Sequence, residues 1–230
     1  MNFPLKQLNY NIPSPKLKKG LISIWGDFGV GKTTFALQTA LYNCTFDNIV
    51  IFIYTKPNLP LKQIERIDHK FSENKNDNFF LYQILNFSEL FEFILNLELL
   101  IIKLKKRHKK TNFLIVIDSI TNLYQIELRK DRKKKNILLN YKLNQILATL
   151  SYLKLQYPLD ILIVNYLRRI KRENHTIEIQ SGGKVMKYWL EYSIKIERDK
   201  KINSRKFLIL TESETEGISF LAELSEYGFQ

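Results

Sequence analysis

Five short apolar runs alternate with segments of helical periodicity over most of the chain. The runs are five to seven residues long and nearly free of polar residues, which is typical of buried strands. They lie at 21–25, 49–54, 79–85, 113–118 and 161–165, and helices are predicted at 32–42, 61–71, 88–106 and 136–156. Strands that alternate with helices indicate parallel βαβ units, so we expect an α/β fold.

The pattern changes near residue 187. Three further strands, at 188–197, 206–210 and 218–224, follow one another with short connections. No linker rich in Gly, Ser or Pro precedes them, so we expect an antiparallel extension of the same sheet and not a second domain. The predicted organisation is a short N-terminal extension, residues 1–18, and one core domain, residues 19–230, within the usual size of a domain.

The predicted helix at 88–106 is the most apolar segment, with Ser88 as its expected N-cap. Glu89, Glu92 and Glu98 interrupt it, so an amphipathic helix is expected and a membrane span is not. The N-terminal residues also lack the apolar core of a signal peptide. The chain has one cysteine and three histidines, which excludes a disulfide framework, argues against a zinc site and makes the cytosol the expected compartment.

Glycine is scarce and concentrated. The chain has eight glycines, and four of them lie at positions 20, 26, 29 and 31, directly after the first predicted strand. A glycine-rich loop between a strand and a helix allows the backbone to approach a ligand closely.

This loop, Gly26–Thr33, reads GDFGVGKT and matches the phosphate-loop pattern G-x-x-x-x-G-K-[ST]. Backbone amides form a nest for phosphates, and the following helix directs its positive end at them. We expect Lys32 to bind the β- and γ-phosphates of ATP and Thr33 to ligate Mg²⁺. The predicted nucleotide-binding residues are Gly26, Asp27, Phe28, Gly29, Val30, Gly31, Lys32, Thr33 and Thr34.

Asp118 ends the fourth predicted strand. A carboxylate at the end of a parallel strand beside a phosphate loop is the expected second Mg²⁺ residue. The alternative is that Asp118 caps the turn that follows.

Basic residues exceed acidic ones by 36 to 23, which gives a net charge of +13. Such a charge suits nucleic acid, although a Lys-, Asn- and Ile-rich composition also results from an AT-rich genome. Two basic clusters follow the fourth and fifth strands, at the nucleotide edge of the predicted sheet. Their predicted DNA-binding residues are Arg129, Lys130, Arg132, Lys133, Lys134, Lys135, Arg168, Arg169, Lys171 and Arg172. The alternative is that both are solvated surface loops; Tyr124 and Tyr166 could stack on bases or pack in the core.

From Lys19 to Phe229 the chain resembles the RecA/RadA recombinase family, and within it the short archaeal RadB-like branch. The segments that carry the resemblance are the strand, loop and helix at 20–40, IVIDSI at 115–120, LYQIEL at 123–128, the strand at 163–165, and the tail at 213–219 and 223–228. The resemblance implies a RecA-like P-loop NTPase core that binds ATP, Mg²⁺ and DNA, single-stranded DNA above all. It also implies a role in homologous recombination and repair, with a RadA-like recombinase, another repair protein or a second copy as protein partners.

Two positions depart from the family pattern. Lys56 stands where the family has an acid that activates water, and a charged lysine cannot act as that base. Tyr166 follows Asn165 where the family usually has glutamine; Asn165 and Lys32 are the candidate catalytic residues. We therefore expect ATP binding with weak or absent hydrolysis. Glu65 could supply the acid if its loop folds back, or Lys56 could contact the γ-phosphate and hold the ATP state.

A second hypothesis is an ATP-binding regulatory protein similar to KaiC or the archaellum ATPase, in which the basic clusters contact protein partners. A third is a DNA-stimulated ATPase with an unlocated general base. Salt-sensitive DNA binding separates the first two hypotheses.

Overall fold

The computed structural model describes residues 1–12, 21–45, 47–68, 78–107, 112–128, 133–172, 175–211 and 217–230. Within these ranges the chain has the predicted α/β fold, with a nine-stranded sheet ordered β11-β10-β9-β8-β1-β5-β4-β2-β3 and a separate hairpin β6-β7. The strands are β1 (Leu21–Gly26), β2 (Asn48–Tyr54), β3 (Phe79–Gln83), β4 (Asn112–Asp118), β5 (Leu159–Val164), β6 (Leu167–Arg172), β7 (His175–Gln180), β8 (Leu190–Arg198), β9 (Ser204–Thr211), β10 (Ile218–Ser225) and β11 (Gly228–Phe229). The helices are α1 (Lys6–Asn11), α2 (Lys32–Asn43), α3 (Leu61–Asp68), α4 (Phe87–Leu95), α5 (Leu97–Arg107), α6 (Ile120–Glu127), α7 (Lys133–Gln156) and α8 (Gly183–Trp189).

Strands β1, β2, β3, β4 and β5 are parallel, and their side chains alternate between two apolar layers. In β4, Ile115 and Ile117 face the layer formed by α4, α5 and α7, whereas Leu114 and Val116 face the layer that contains α2. Strands β1, β2, β4 and β5 are buried on both faces, which explains their continuous apolar runs, whereas the edge strand β3 is half-buried.

The C-terminal extension is antiparallel from β8 onward, as the sequence predicted. Strand β8 itself pairs in parallel with β1, with Ile194 opposite Ile24, so it joins the extension to the parallel sheet. The strand prediction at 188–197 is corrected at its start, because Tyr188 belongs to helix α8 and β8 begins at Leu190.

Two helix predictions also need correction. The segment predicted as one helix at 88–106 forms two, α4 and α5, separated at Asn96. Asn86, not Ser88, is the N-cap of α4, since its side chain accepts a 2.7 Å hydrogen bond from the Glu89 amide. Asparagine and serine are both favoured at the N-cap, and these two residues are two positions apart. Tertiary packing therefore decides which of them begins the helix.

The segments after β4 and β5 contain more regular structure than predicted. Helix α6 lies where no helix was predicted, and α7 begins at Lys133 and not at residue 136. The basic cluster after β5 is strand β6 of a hairpin and not a loop.

Residues 1–12 pack against the α2 side of the sheet. Leu8 is fully buried, Phe3 stacks on Phe35 at 6.0 Å between ring centroids, and the Asn43 side chain bonds both backbone groups of Asn2. No helix in the described ranges is long and apolar enough to cross a bilayer.

Candidate functional site

The candidate site lies at the carboxyl edge of the parallel strands. The register places Tyr54, Asp118 and Val164 side by side at the ends of β2, β4 and β5. Strand β1 ends beside them at Gly26, where the phosphate loop begins. The residues that follow each strand therefore converge on one point, as the sequence predicted for this edge.

Two glycines of the phosphate loop have no room for a side chain. Gly26 has φ 154°, and a Cβ there would lie 2.2 Å from the Ile196 carbonyl oxygen. Gly31 has φ 100°, and a Cβ there would lie 2.8 Å from the Phe229 ring. Gly31 also caps α2 without a side chain, which leaves the first amides of the helix available to a ligand such as phosphate. The loop thus has the form of a phosphate cradle.

The other residues of the loop divide by exposure. Val30 is buried, whereas Phe28 at the loop tip is 81% exposed. The Thr34 hydroxyl accepts a 2.6 Å hydrogen bond from the Gln63 side chain of α3.

Lys32 is folded back onto its own loop. Its ammonium donates to the carbonyl oxygens of Gly26, at 3.0 Å, and Asp27, at 2.5 Å, and lies 5.3 Å from the Tyr166 ring centroid. Burial lowers the pKa of Lys32 to about 8, because the charged form loses hydration. Phosphate oxygens would offer this ammonium stronger, charged acceptors than the two carbonyls.

Thr33, Asp118 and Lys56 form a closed triangle of polar contacts. The Thr33 hydroxyl donates to Asp118 Oδ2 at 2.6 Å, and Lys56 Nζ donates to both, at 2.7 Å to Thr33 Oγ1 and 2.9 Å to Asp118 Oδ2. Asp118 is fully buried, and its Oδ1 has no hydrogen-bond partner among the described residues. The structure thus brings the two predicted Mg²⁺ residues together and adds a cation from the chain itself.

The donor set of this triangle fits Mg²⁺ only in part. A hydroxyl and a carboxylate are oxygen ligands that Mg²⁺ accepts, but it needs them at about 2.0–2.1 Å. Lys56 Nζ already lies within 2.9 Å of both oxygen atoms. A metal ion between Thr33 and Asp118 would therefore meet a second cation at contact distance. The residues as arranged do not fit the metal while Lys56 stays in place.

Hydrogen bonds to two other segments hold the backbone around Lys56 in place. The Thr55 hydroxyl donates to the Ser119 carbonyl at 2.9 Å and accepts from the Ser119 amide at 2.7 Å. Gln83 donates to the carbonyl oxygens of Lys56 and Pro57, at 2.8 and 2.7 Å. The Thr55 bonds fix the segment after β2 to the start of the segment after β4, and the Gln83 bonds fix it to the end of β3. Glu65, the alternative acid, is exposed on α3.

Asn165 is fully buried and bonded on both sides of its amide. It accepts from the Thr121 hydroxyl at 3.0 Å and donates to Gln180 at 3.1 Å, and Gln180 also accepts from Ser23 at 2.9 Å. The structure therefore places this candidate catalytic residue in a network that joins β1, β5, α6 and the end of β7. Tyr166, the next residue, contacts the phosphate-loop lysine instead.

The basic hairpin, formed by β6 and β7, contacts the phosphate loop. Arg169 donates to Asp27 of the loop at 2.7 Å and to Glu178 on the paired strand at 3.1 Å. The hydrogen bond from Arg169 lowers the pKa of Asp27. Lys195 of β8 donates to the other oxygen of Glu178 at 2.9 Å, so the hairpin is also tied to the main sheet. Sequence reasoning missed this Asp27–Arg169 pair, since 142 positions separate its members.

The hairpin also lies beside α6. Gln125 donates to the Ser181 hydroxyl just after β7. Burial raises the pKa of Tyr124, and the Arg168 guanidinium opposes that rise. Tyr124 packs on Phe87 at 5.9 Å and donates to Asn140, so it has the core role that was one of its two alternatives.

The predicted DNA-binding residues that the structure describes lie on two elements, β6 and α7. Arg168, Arg169 and Lys171 are exposed on β6, and only the backbone of Arg172 is described. Lys133, Lys134 and Lys135 are exposed on the first turn of α7 and not in a loop. Arg129, Lys130 and Arg132 lie outside the described residues.

The first turn of α7 contains no acidic residue and three lysines. Cations at a helix N-terminus oppose the helix dipole, so this arrangement costs stability and concentrates positive potential. Lys135 lies 3.9 Å from Glu127, an exposed pair that offsets little of that cost. A polyanion is the partner that such a patch favours.

Comparison with known proteins finds relatives with a role in DNA repair and recombination. No family model matches the chain. The chain is 31% identical over 194 residues to the DNA repair and recombination protein RadB of Methanocaldococcus jannaschii, covering 84% of each protein. It is 30% identical to the RadB protein of Methanococcus maripaludis, covering 85% of this chain and 82% of that one. The RadB protein of Methanoculleus marisnigri is 26% identical over 93% of this chain and 89% of its own length.

Proposed function

Because the chain belongs to the RadB branch of the RecA/RadA recombinase family, we propose that it acts in DNA recombination and repair as an ATP-binding, DNA-binding recombinase paralogue. The observation that carries the proposal is the 2.7 Å ion pair between Asp27 of the phosphate loop and Arg169 of the basic hairpin. It joins the candidate nucleotide site directly to a candidate DNA surface.

In this function the loop amides and the first turn of α2 hold the phosphates of ATP. Lys32 leaves the carbonyl oxygens of Gly26 and Asp27 and binds the β- and γ-phosphate oxygens. That movement changes the environment of Asp27 and of the Tyr166 ring, which flank Lys32. Both residues connect to the hairpin, Tyr166 through the chain and Asp27 through Arg169. Nucleotide binding is thereby linked to the position of the basic hairpin.

DNA binds through the exposed charges of β6 and of the first turn of α7. Arg168 and Lys171 are the hairpin cations for which no internal ion pair is present among the described residues, whereas Arg169 already binds Asp27 and Glu178. Single-stranded DNA is the preferred form in this proposal. A RadA-like recombinase or a second copy of the chain completes the set of proposed protein partners.

ATP hydrolysis is weak or absent in this function. The carboxylate that touches Thr33 is Asp118, and its Oδ2 already accepts from Thr33 and from Lys56. A general base must reach a water molecule beside the γ-phosphate, and the Lys56 ammonium has no lone pair with which to accept a proton. ATP then acts chiefly as a ligand that stabilises one conformation by mass action.

The test is binding of fluorescently labelled single-stranded DNA over a salt series, with and without ATP and Mg²⁺. We expect binding that strengthens with ATP and weakens steeply with salt, because phosphate contacts release counterions. The variant Lys32→Ala should retain DNA binding without ATP and lose the increase that ATP causes. Absence of DNA binding at low salt would remove DNA from the proposal and favour a protein partner for the basic surfaces.

A further inference from the structure

We propose that the Lys56 ammonium takes the place of the divalent cation, so that this chain binds nucleotide phosphates without Mg²⁺. The inference rests on the proposed function in one respect, that the phosphate loop binds a nucleotide. The inference further specifies that the bound ligand is the nucleotide anion without a metal ion.

The first argument is the position of the ammonium nitrogen. Lys56 Nζ lies 2.7 Å from Thr33 Oγ1 and 2.9 Å from Asp118 Oδ2, in contact with both oxygen atoms that were predicted to ligate the metal. These are charge-assisted hydrogen-bond lengths, and they bind the cation to both residues at once. An ammonium has three N–H donors, so one remains to point toward a phosphate oxygen held in the loop.

The second argument is how firmly the lysine is held. Its side chain is only 24% exposed, and the carboxylate it pairs with is fully buried. The backbone on either side is fixed, by Thr55 to Ser119 and by Gln83 to the Lys56 carbonyl. A lysine on an exposed loop would have to lose conformational freedom on binding its partner, whereas this one is already ordered.

The third argument is charge. With Lys56 in place, the cradle already contains two ammonium groups, Lys32 and Lys56, and one fully buried carboxylate, Asp118. A Mg²⁺ ion would bring two more positive charges into contact with Lys56, and it would have to displace an ion pair whose acidic member cannot turn to solvent. The tethered ammonium needs no dehydration of a free ion, which Mg²⁺ undergoes reluctantly.

The experiment compares ATP binding to the wild-type protein in EDTA and in MgCl₂ by isothermal titration calorimetry. We expect dissociation constants that agree within about threefold in the two buffers. A wild-type protein that binds ATP in MgCl₂ and binds more than about tenfold more weakly in EDTA overturns the inference and leaves the proposed ATP binding intact. Absence of binding in both buffers overturns the ATP binding of the proposed function, and this inference with it.

Two variants test the residue itself. Lys56→Gln should bind ATP at least about tenfold more weakly in EDTA, since it loses hydrogen bonds to charged groups, and MgCl₂ should restore part of that loss. Lys62→Gln removes the same charge from an exposed position on α3 and should behave as the wild type in both buffers.

If Lys56→Gln folds poorly, the wild-type comparison of EDTA with MgCl₂ still tests the inference, and if it folds, a second measurement tests the residue without nucleotide. Without nucleotide, MgCl₂ should raise the melting temperature of Lys56→Gln more than that of the wild type or of Lys62→Gln, because only the first variant leaves the buried carboxylate open to a metal. Equal shifts in all three proteins, together with a wild type that needs Mg²⁺ for ATP, contradict the inference.

Discussion

The phosphate-loop corner and the basic hairpin lie side by side and are built in opposite ways. The corner consists of Gly26–Thr33 with Lys56 and Asp118; Lys32 and Asp118 are buried, and the polar groups of the corner are bonded chiefly to one another. The hairpin, β6 with β7, presents Arg168, Arg169 and Lys171 to solvent. Buried polar groups are costly to change because their partners lose bonds that water cannot replace, whereas exposed charges are worth little to stability. Changes in the corner should therefore affect folding as well as nucleotide binding, whereas changes in the hairpin should affect DNA binding alone.

The largest effect is expected at Gly26. In Gly26→Ala the new Cβ would meet the Ile196 carbonyl oxygen at 2.2 Å, so strand β1 or β8 must shift. We expect the free energy of unfolding to fall by about 3 kcal/mol. Urea denaturation measures it. The matched control is Gly183→Ala, which has φ 59° and open space around the added Cβ, and which should cost about 1 kcal/mol. Equal costs at the two positions would show that the corner is not tightly packed.

The next largest effect on stability is expected at Gln38, which contacts the phosphate-loop corner through Phe229. Its buried side chain bonds both the amide and the carbonyl of Phe229, each at 2.8 Å, and the Phe229 ring lies against Gly31. Gln38→Ala leaves both backbone groups without that partner, and we expect a loss of about 2 kcal/mol in the free energy of unfolding.

The same substitution at exposed Gln7 should change stability by less than about 0.5 kcal/mol. If Gln38→Ala is equally mild, the C-terminal strand does not support the phosphate loop.

A smaller effect, on binding alone, is expected from the hairpin. The double substitution Arg168→Gln with Lys171→Gln should weaken binding of single-stranded DNA about tenfold at low salt and reduce the salt slope by about 1.4, from two fewer phosphate contacts. The free energy of unfolding should stay within about 0.5 kcal/mol of the wild type.

The control for the hairpin pair is Lys103→Gln with Lys106→Gln. These exposed lysines lie on α5, which precedes the start of β4 and therefore lies toward the opposite edge of the sheet. DNA binding that falls equally in both double variants would mean that net charge, and not the hairpin, governs binding.

The smallest effect is expected where the two regions meet. The Arg169 hydrogen bond holds the pKa of Asp27 below its ordinary value of 3.8. A lowered carboxyl pKa stabilises the folded state above the unfolded pKa, and this stabilisation is lost as the pH falls through the folded pKa. Because the Asp27 and Arg169 side chains are 53% and 54% exposed, the contribution should stay below about 1 kcal/mol.

An NMR titration of the Asp27 carboxyl carbon measures this pKa. In Arg169→Gln it should return toward 3.8, whereas Arg168→Gln should leave it unchanged. A carboxyl that titrates normally in the wild type would mean that the ion pair between loop and hairpin does not persist in solution.

Three features of the structure escaped prediction, each for a different reason. Helix α6 carried a visible signal, since Ser119 accepts from the Asn122 amide at 3.2 Å as an N-cap. Its short, mixed sequence gave no strong periodicity. The hairpin was missed because charged residues lie on both faces of β6, with Arg168 on the face of Ile170 and Arg169 and Lys171 on the other. The break at Asn96 was hidden because both helices that flank it are amphipathic.

The phosphate-loop motif, the parallel strands and the α/β class could be predicted, because each depends on residues close together in the chain. The contacts of Lys56 with Thr33 and Asp118, which are 23 and 62 positions away from it, and the contact of Arg169 with Asp27 arise only when the chain folds. Periodicity specifies which face of a strand is buried. It does not specify which strand ends become neighbours, since that follows from how the helices pack on the two faces of the sheet.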